Sequence, residues 1–348
     1  MKNTYVLKNN INNFIVQIKL RSLKQISIIF QHVLISFLVF RVFVVGDSLS
    51  LKGSPAAFGK MIDGTASRPF VLRTLLPSTI KIIRDQMPES LKSHIKLFFE
   101  TRRWFVEYLR TDKVIEYSIA LTLSFIFFLG FSFVLLRLAK YFYQGEPFLQ
   151  HIVVFAGMLI IPLCSAYGHY IYDPATLFLF SLGLLLVVEE YIIPMLFLFP
   201  LLVLNKETSV LLIPVFIIYQ FRRMPIKKIF TISFIMSFIW LLLRIIIMRA
   251  YEANPGTIAE FHLFDHNLRL FANPVAALFF LTVIVFLGVL IFNDWKSKQA
   301  FLRSSFLVVF CPLSFLSIFF GYLDELREFY EVVPFVALLI APTISKLM

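Results

Sequence analysis

The chain has 348 residues, 59% of them hydrophobic and 42 of them Phe, an apolar share well above the roughly 45–50% of soluble domains. This excludes an ordinary soluble enzyme and indicates an integral membrane protein. The formal net charge is +12, but the basic residues lie among apolar segments and gather at their ends, where cations snorkel and anionic headgroups wait, so no nucleic-acid partner is implied.

Judged against the roughly 20 residues a helix needs to cross the hydrocarbon, about ten apolar spans follow one another near 26–45, 114–137, 151–168, 173–188, 191–204, 207–221, 229–249, 274–292, 304–321 and 332–345. The expected fold class is all-α and polytopic, a single transmembrane domain over 1–348 with a long outer loop at 46–113. The fourth to sixth spans are short and interrupted by Pro194, Pro200 and Pro214; broken helices at membrane depth are tolerated where they line a cavity or pack inside protein. No internal repeat is evident, which counts against folds built from duplicated halves. Cys164 and Cys311 fall within apolar segments without CxxC spacing and read as core or lipid-facing residues.

Lys and Arg near the span ends set the orientation. With the N-terminus in the cytoplasm, Lys19, Arg21, Lys24, Arg137, Lys140, "RRMPIKK" at 222–228, Lys296, Lys298 and Arg303 all fall inside, and the C-terminus is cytoplasmic as well. About 25 largely polar residues precede the first span, which reads as an uncleaved anchor. The outer side then receives "GDSLS", "DGTASRPFVLRTLLP" at 63–77, "YGHYIYDP" at 167–174, "NKETS" at 205–209, "EFHLFDHNLR" at 260–269 and "YLDELREFYE" at 322–331. A one-sided gathering of carboxylates, His, Arg and Tyr suits an extracytoplasmic active site; it also suits any wet membrane surface.

Within the long loop, Leu91, Ile95, Phe98, Phe99, Phe105, Val106 and Leu109 share one helical arc, opposite Lys92, Lys96, Glu100, Arg103 and Glu107. That pattern predicts an amphipathic helix lying on the membrane, either an anchor roofing the bundle or the lid of a lipid-linked substrate groove.

A long first outer loop with acidic residues soon after helix one, a surface-lying helix in it and many short spans afterwards resemble the GT-C superfamily of membrane glycosyltransferases. "RPFVLRTLLP", "YDPATLFLFSLGL", "NKETSVLLIP" and "ELREFYEVVPF" are similar to motifs of bacterial multi-pass proteins allied to it. The resemblance implies an inner-membrane enzyme with a polyprenyl-phosphate sugar as donor, a glycan, lipid or protein acceptor, and an acidic residue of the first outer loop as catalytic base. Asp47 and Asp63 are the candidates here, although neither stands in a paired-acid "DD" or "DE".

The chemistry asks for a base near the acceptor hydroxyl, cations for the leaving phosphate and an apolar groove for the lipid; one carboxylate suffices for inverting displacement. Arg68, Arg73 and Lys206 are the outer-face cations, Arg suited by its bidentate fork and Lys as a point charge. Pro69 and Pro77 would fix the backbone between the arginines. The plainer alternative is that Arg68 and Arg73 bind headgroups while the prolines begin short helices.

Lys206 and Glu207 are adjacent, so on a helix they point about 100° apart and each needs a partner elsewhere; Asn205 or Thr208 capping a re-entrant helix is the structural alternative. His169 and Asp173 are four apart, as are His262 and His266 around Asp265, a spacing open to a divalent metal or to interfacial hydrogen bonding. Tyr172 lies beside Asp173, while Asp324, Glu325 and Arg327 fit a local ion pair or an acceptor-orienting group. No glycine-rich phosphate loop, HExxH or nucleophile elbow occurs. Two other classes stay open: a lipid-linked glycan flippase or transporter, for which Arg244 and the Gln31–His32 pair are the residues inside spans, and an envelope glycan polymerase or ligase.

Overall fold

The computed structural model describes residues 25–44, 54, 56–102, 113–165 and 168–348. Among these residues the fold is all helical. The helix α1 (Gln25–Val44) is followed by the loop helices α2 (Phe58–Asp63), α3 (Leu75–Gln86) and α4 (Glu89–Glu100). Then come α5 (Val114–Phe142), α6 (Pro147–Cys164), α7 (Asp173–Val188), α8 (Ile192–Asn205), α9 (Leu212–Gln220), α10 (Ile226–Ala250), α11 (Pro274–Phe292), α12 (Ala300–Phe320) and α13 (Val333–Leu347). Among the described residues seven helices are long and apolar enough to cross a membrane; the apolar segments Asp173–Val188, Ile192–Asn205 and Glu207–Gln220 are shorter.

The core is a bundle in which α13 packs on α6, α5 on both α6 and α7, and α7 on α8. Close approach there rests on small residues, as in other helix pairs without a hydrophobic driving force between them. A methyl group at Gly157 of α6 would come within 2.5 Å of Leu135 on α5 and 3.1 Å of Ala337 on α13, so a side chain at 157 would force the three helices apart. The last span, Leu326–Leu347, has 72% of its most apolar window buried, whereas Pro274–Phe292 has 17%. The former is central; the latter presents Val275, Leu278 and Val285 outward, as a lipid-facing helix must. His32 of α1 reaches Ser132 of α5 through Nδ1 at 3.0 Å, which gives that intramembrane imidazole a structural partner.

Chain reversals put the ends of the helices into two sets. At one end Arg137 pairs with Glu189, Arg223 with Glu190 and Lys346 with Asp294. At the other lie the loop helices, the start of α7, the α8–α9 turn and the segment before α13. The predicted surface helix is present as α4, with Leu91, Leu97 and Phe98 exposed and Phe99 buried; its expected members Arg103, Phe105, Val106, Glu107 and Leu109 lie outside the described residues. Pro77 stands in the first turn of α3 and Pro69 directly before the single 3-10 turn Phe70–Leu72, so both prolines begin short helices, where a missing N–H costs nothing.

The first loop is clamped to the turn after α10. Asn254 donates through Nδ2 to the carbonyls of Gly64 and Ala66, 2.9 Å each, and the Arg68 N–H donates to the Pro255 carbonyl at 2.8 Å. Gly64 caps α2 at φ +76°, the left-handed conformation that glycine adopts without a Cβ penalty. Met61, Ala66, Val71, Leu72, Tyr172 and Ile247 then form a small apolar core of their own, which fixes the loop against α7 and α10 and so positions Arg73.

Candidate functional site: a buried ion cluster

Arg73 leaves the 3-10 turn pointing into the bundle. Its Nη2 donates to Glu207 Oε1 at 2.9 Å and its Nη1 to the Tyr172 hydroxyl. Glu207 opens the 3-10 turn Glu207–Leu211 that joins α8 to α9, after Lys206 in extended conformation. That extended residue turns the two neighbouring side chains apart: Glu207 meets Arg73 and, at 4.0 Å, Arg244 of α10, whereas Lys206 meets Glu331 at 3.1 Å. Thr208 also donates to Glu331. The α8–α9 turn is held by Trp240 Nε1 donating to the Glu207 carbonyl at 2.9 Å, and by Asn205 Nδ2 donating to Thr176 Oγ1 at 2.8 Å.

The third side of the cluster comes from the segment before α13. Arg327 donates through Nη2 to Glu325 at 2.5 Å and through Nη1 to the Tyr172 hydroxyl at 3.4 Å, and its Nη1 lies 3.8 Å from Asp173. Asp173 also accepts the Tyr170 N–H at 2.7 Å in the first turn of α7, where a carboxylate complements the helix dipole. Tyr170 and Tyr172 stack with centroids 5.5 Å apart and planes 8° apart; the Arg327 guanidinium lies 4.1 Å from the Tyr170 centroid and that of Arg73 4.3 Å from the Tyr172 centroid. Such cation–π contacts gain strength when desolvated.

Arg73, Lys206, Arg244, Arg327, Asp173, Glu325 and Glu331 are all buried. Charges withdrawn from water in this way are sustained only by close partners. Arg244 precedes the end of α10 by six residues, which at 1.5 Å per residue sets the cluster about 9 Å below that helix end. Burial works against the charge of Arg73, but Glu207 more than offsets it and holds the guanidinium above its ordinary range. His169, against the Phe43 ring with centroids 4.0 Å apart, is pushed down to about 3 by burial and by Arg327, so its imidazole is neutral. Burial likewise pushes the Tyr170 phenol up.

Of the residues singled out in the sequence, Arg73, Tyr172, Asp173, Lys206, Glu207, Glu325 and Arg327 therefore meet in one place. Asp63 does not join them by any hydrogen bond or ion pair: it pairs at the half-exposed surface with Lys113, 2.7 Å away. Asp47 lies outside the described residues. Arg68 donates through Nη2 to the Gly256 carbonyl at 2.8 Å and lines an open groove of about 280 Å³ with Met248, Arg249, Glu252 and Ile258. The histidines of "HLFDH" follow the hydrogen-bonding alternative, with His262 on Asp265 at 3.0 Å and His266 on Asp324 at 2.8 Å, both rings against Tyr322. Among the described residues no group of three His, Cys, Asp or Glu is placed to hold a metal ion.

Sequence reasoning missed Tyr170, Glu331 and Glu328 as individual members and weighed Arg244 only as a charge inside a span. One signal was available. Glu325, Glu328 and Glu331 recur every third residue, the period of a 3-10 turn, and the segment Leu326–Val332 is 3-10 with a kink at Phe329. Comparison of the chain with family models, with curated proteins and with solved structures finds no match.

Proposed function

We propose that the chain is a membrane glycosyltransferase of GT-C type, moving a sugar from a polyprenyl-phosphate donor to an extracytoplasmic glycan, lipid or protein acceptor by inverting displacement. The observation that carries this reading is the pairing of Arg73, from the first loop, with Glu207 of the α8–α9 turn inside a recessed cluster that also holds Lys206, Arg244 and Arg327. A phosphate leaving in a low-dielectric site requires fixed cations, and four of them stand there beside an apolar bundle wall that suits an isoprenoid chain. Arg244 Nη1 and Arg327 Nε are buried without a hydrogen-bond partner, which leaves each guanidinium donors for an anion. Arg68 and Arg249 flank the groove above and suit an approaching phosphate.

In this reading about ten segments lie at membrane depth, the cluster faces the outside of a bacterial cytoplasmic membrane and both termini are cytoplasmic. A flippase or transporter is the second reading, favoured by one observation: Arg244 is buried within a long apolar helix and paired there with a carboxylate. Incubating the purified protein in nanodiscs with a panel of polyprenyl-phosphate sugars separates the two. The transferase reading expects release of polyprenyl phosphate in step with acceptor glycosylation. Movement of intact donor across vesicles without release of polyprenyl phosphate would overturn it in favour of transport.

A further inference from the structure

Every carboxylate of the cluster but one is held by a cation. Glu207 is bound by Arg73 and faced by Arg244, Glu331 by Lys206, Glu325 by Arg327, and Asp173 by Arg327 and the Tyr170 N–H. Asp63, one of the two acids expected to serve as base, is bound by Lys113. An acid paired with a guanidinium or ammonium is committed to holding that cation, even where it accepts a further hydroxyl as Glu331 does from Thr208, and is a weaker proton acceptor than an acid that binds no cation. Glu328 differs. Among the described residues its side chain makes no hydrogen bond and no ion pair within 4.0 Å, and it is only partly buried. It stands three residues from Glu325 and three from Glu331, which pair with Arg327 and Lys206, and those two cations and Arg73 act on it electrostatically, so it borders the same site.

Its placement is built into the fold. Glu328 lies between Glu325 and Glu331 on the 3-10 turn Leu326–Val332, and its carboxylate rests over Gly321, at the end of α12. A methyl group there would stand 2.2 Å from Oε2. Gly321 is itself fixed, its carbonyl accepting from Asn267 Nδ2 at 3.0 Å and its N–H donating to the Leu316 carbonyl at 3.0 Å. The absence of a side chain at position 321 therefore leaves room for a carboxylate that no hydrogen bond or ion pair among the described residues restrains.

Resting on the transferase reading, we propose that Glu328 is the catalytic base that takes the proton of the acceptor hydroxyl. The acceptor O–H proton passes to a Glu328 carboxylate oxygen as the acceptor oxygen bonds to the anomeric carbon. The bond from that carbon to the donor phosphate oxygen breaks, and its electron pair leaves with the phosphate, whose charge Arg73, Lys206 and Arg244 receive. One free acid thus removes the proton while the bound acids keep the cations in place.

Three variants test this in nanodiscs with a polyprenyl-phosphate sugar and its acceptor. E328Q preserves size but not proton acceptance, so kcat falls by about 100- to 10,000-fold while donor affinity stays within about twofold and the acid limb of the kcat–pH profile disappears. E328D restores part of kcat and brings back that limb. G321A displaces the carboxylate without altering it and lowers kcat as well. Because Glu328 has no cation to lose, E328Q leaves the unfolding midpoint unchanged or raises it; a merely structural residue would lower it. Retention of more than about a third of kcat in E328Q, or loss of fold in both E328Q and G321A, overturns the proposal while leaving the transferase reading intact. A wild-type protein that turns over no polyprenyl-phosphate sugar overturns that reading, and the base with it.

Discussion

The two ends of α7 lie about 24 Å apart, at 1.5 Å per residue over 16 residues, and they treat charge differently. At the C-terminal end Glu189 and Glu190 meet Arg137 and Arg223, and the arginine side chains are 62% and 51% exposed. Water solvates these pairs, so their Coulomb attraction is weak and screened by salt. At the N-terminal end Tyr172 and Asp173 meet Arg73 and Arg327, whose side chains are 10% and 6% exposed. There each charge depends on its neighbours, because desolvation is offset only by close partners. The first end can lose a member and remain folded; the second is one interdependent unit.

The largest expected effect follows from removing the most shared cation. Arg327→Ala strands Asp173 and Glu325 in a buried setting and should cost about 3–5 kcal/mol of stability, read as a shift in the unfolding midpoint in detergent. A loss comparable to that of a surface substitution would break the comparison. Next, Lys206→Met and Glu331→Leu should each cost about 3 kcal/mol singly, while the double variant loses no more than either alone; additive losses would show that the pair is not coupled.

His169 gives a pH signature. Its folded value of about 3 lies below the ordinary 6.5 because of burial and Arg327. Between those values the unfolded chain binds a proton that the folded one does not, so stability rises with pH across the window and is lost as the medium is acidified. The slope should be at most about 1.4 kcal/mol per pH unit. His169→Phe should flatten it, whereas an unchanged slope in the variant would remove His169 as its origin. At the other end of α7, Arg223→Ala should change stability by less than about 1 kcal/mol; a larger loss would mean that the exposed end is also an interdependent network.

The all-helical class and the apolar segments were legible because membrane spans announce themselves by length and apolarity. Against the expected ten or so spans, seven helices among the described residues are long and apolar enough to cross a membrane, and three further apolar ones are shorter. Hydropathy alone does not distinguish a full crossing from a shorter apolar helix such as the 14-residue α8. The separate partners of Lys206 and Glu207 were legible as well, since adjacent residues cannot share a direction. Arg244 was not: a cation six residues from a helix end reads the same whether it snorkels or pairs, and only the position of Glu207 decides. The pairing of Asp63 with Lys113, 50 residues further on, was not legible either, because nearness in sequence to Arg68 and Arg73 says nothing about it.

Whether the proposed donor's phosphate binds at the buried end is read from the affinity for a polyprenyl-phosphate sugar. Trp240, bonded to the Glu207 carbonyl, provides an intrinsic fluorescence reporter. Arg73→Ala and Arg244→Ala should each weaken donor binding by at least about tenfold, as loss of a charge-assisted contact worth about 1.4 kcal/mol or more would, and Arg223→Ala should leave it unchanged. Equal affinity in all three variants would contradict phosphate binding at that end.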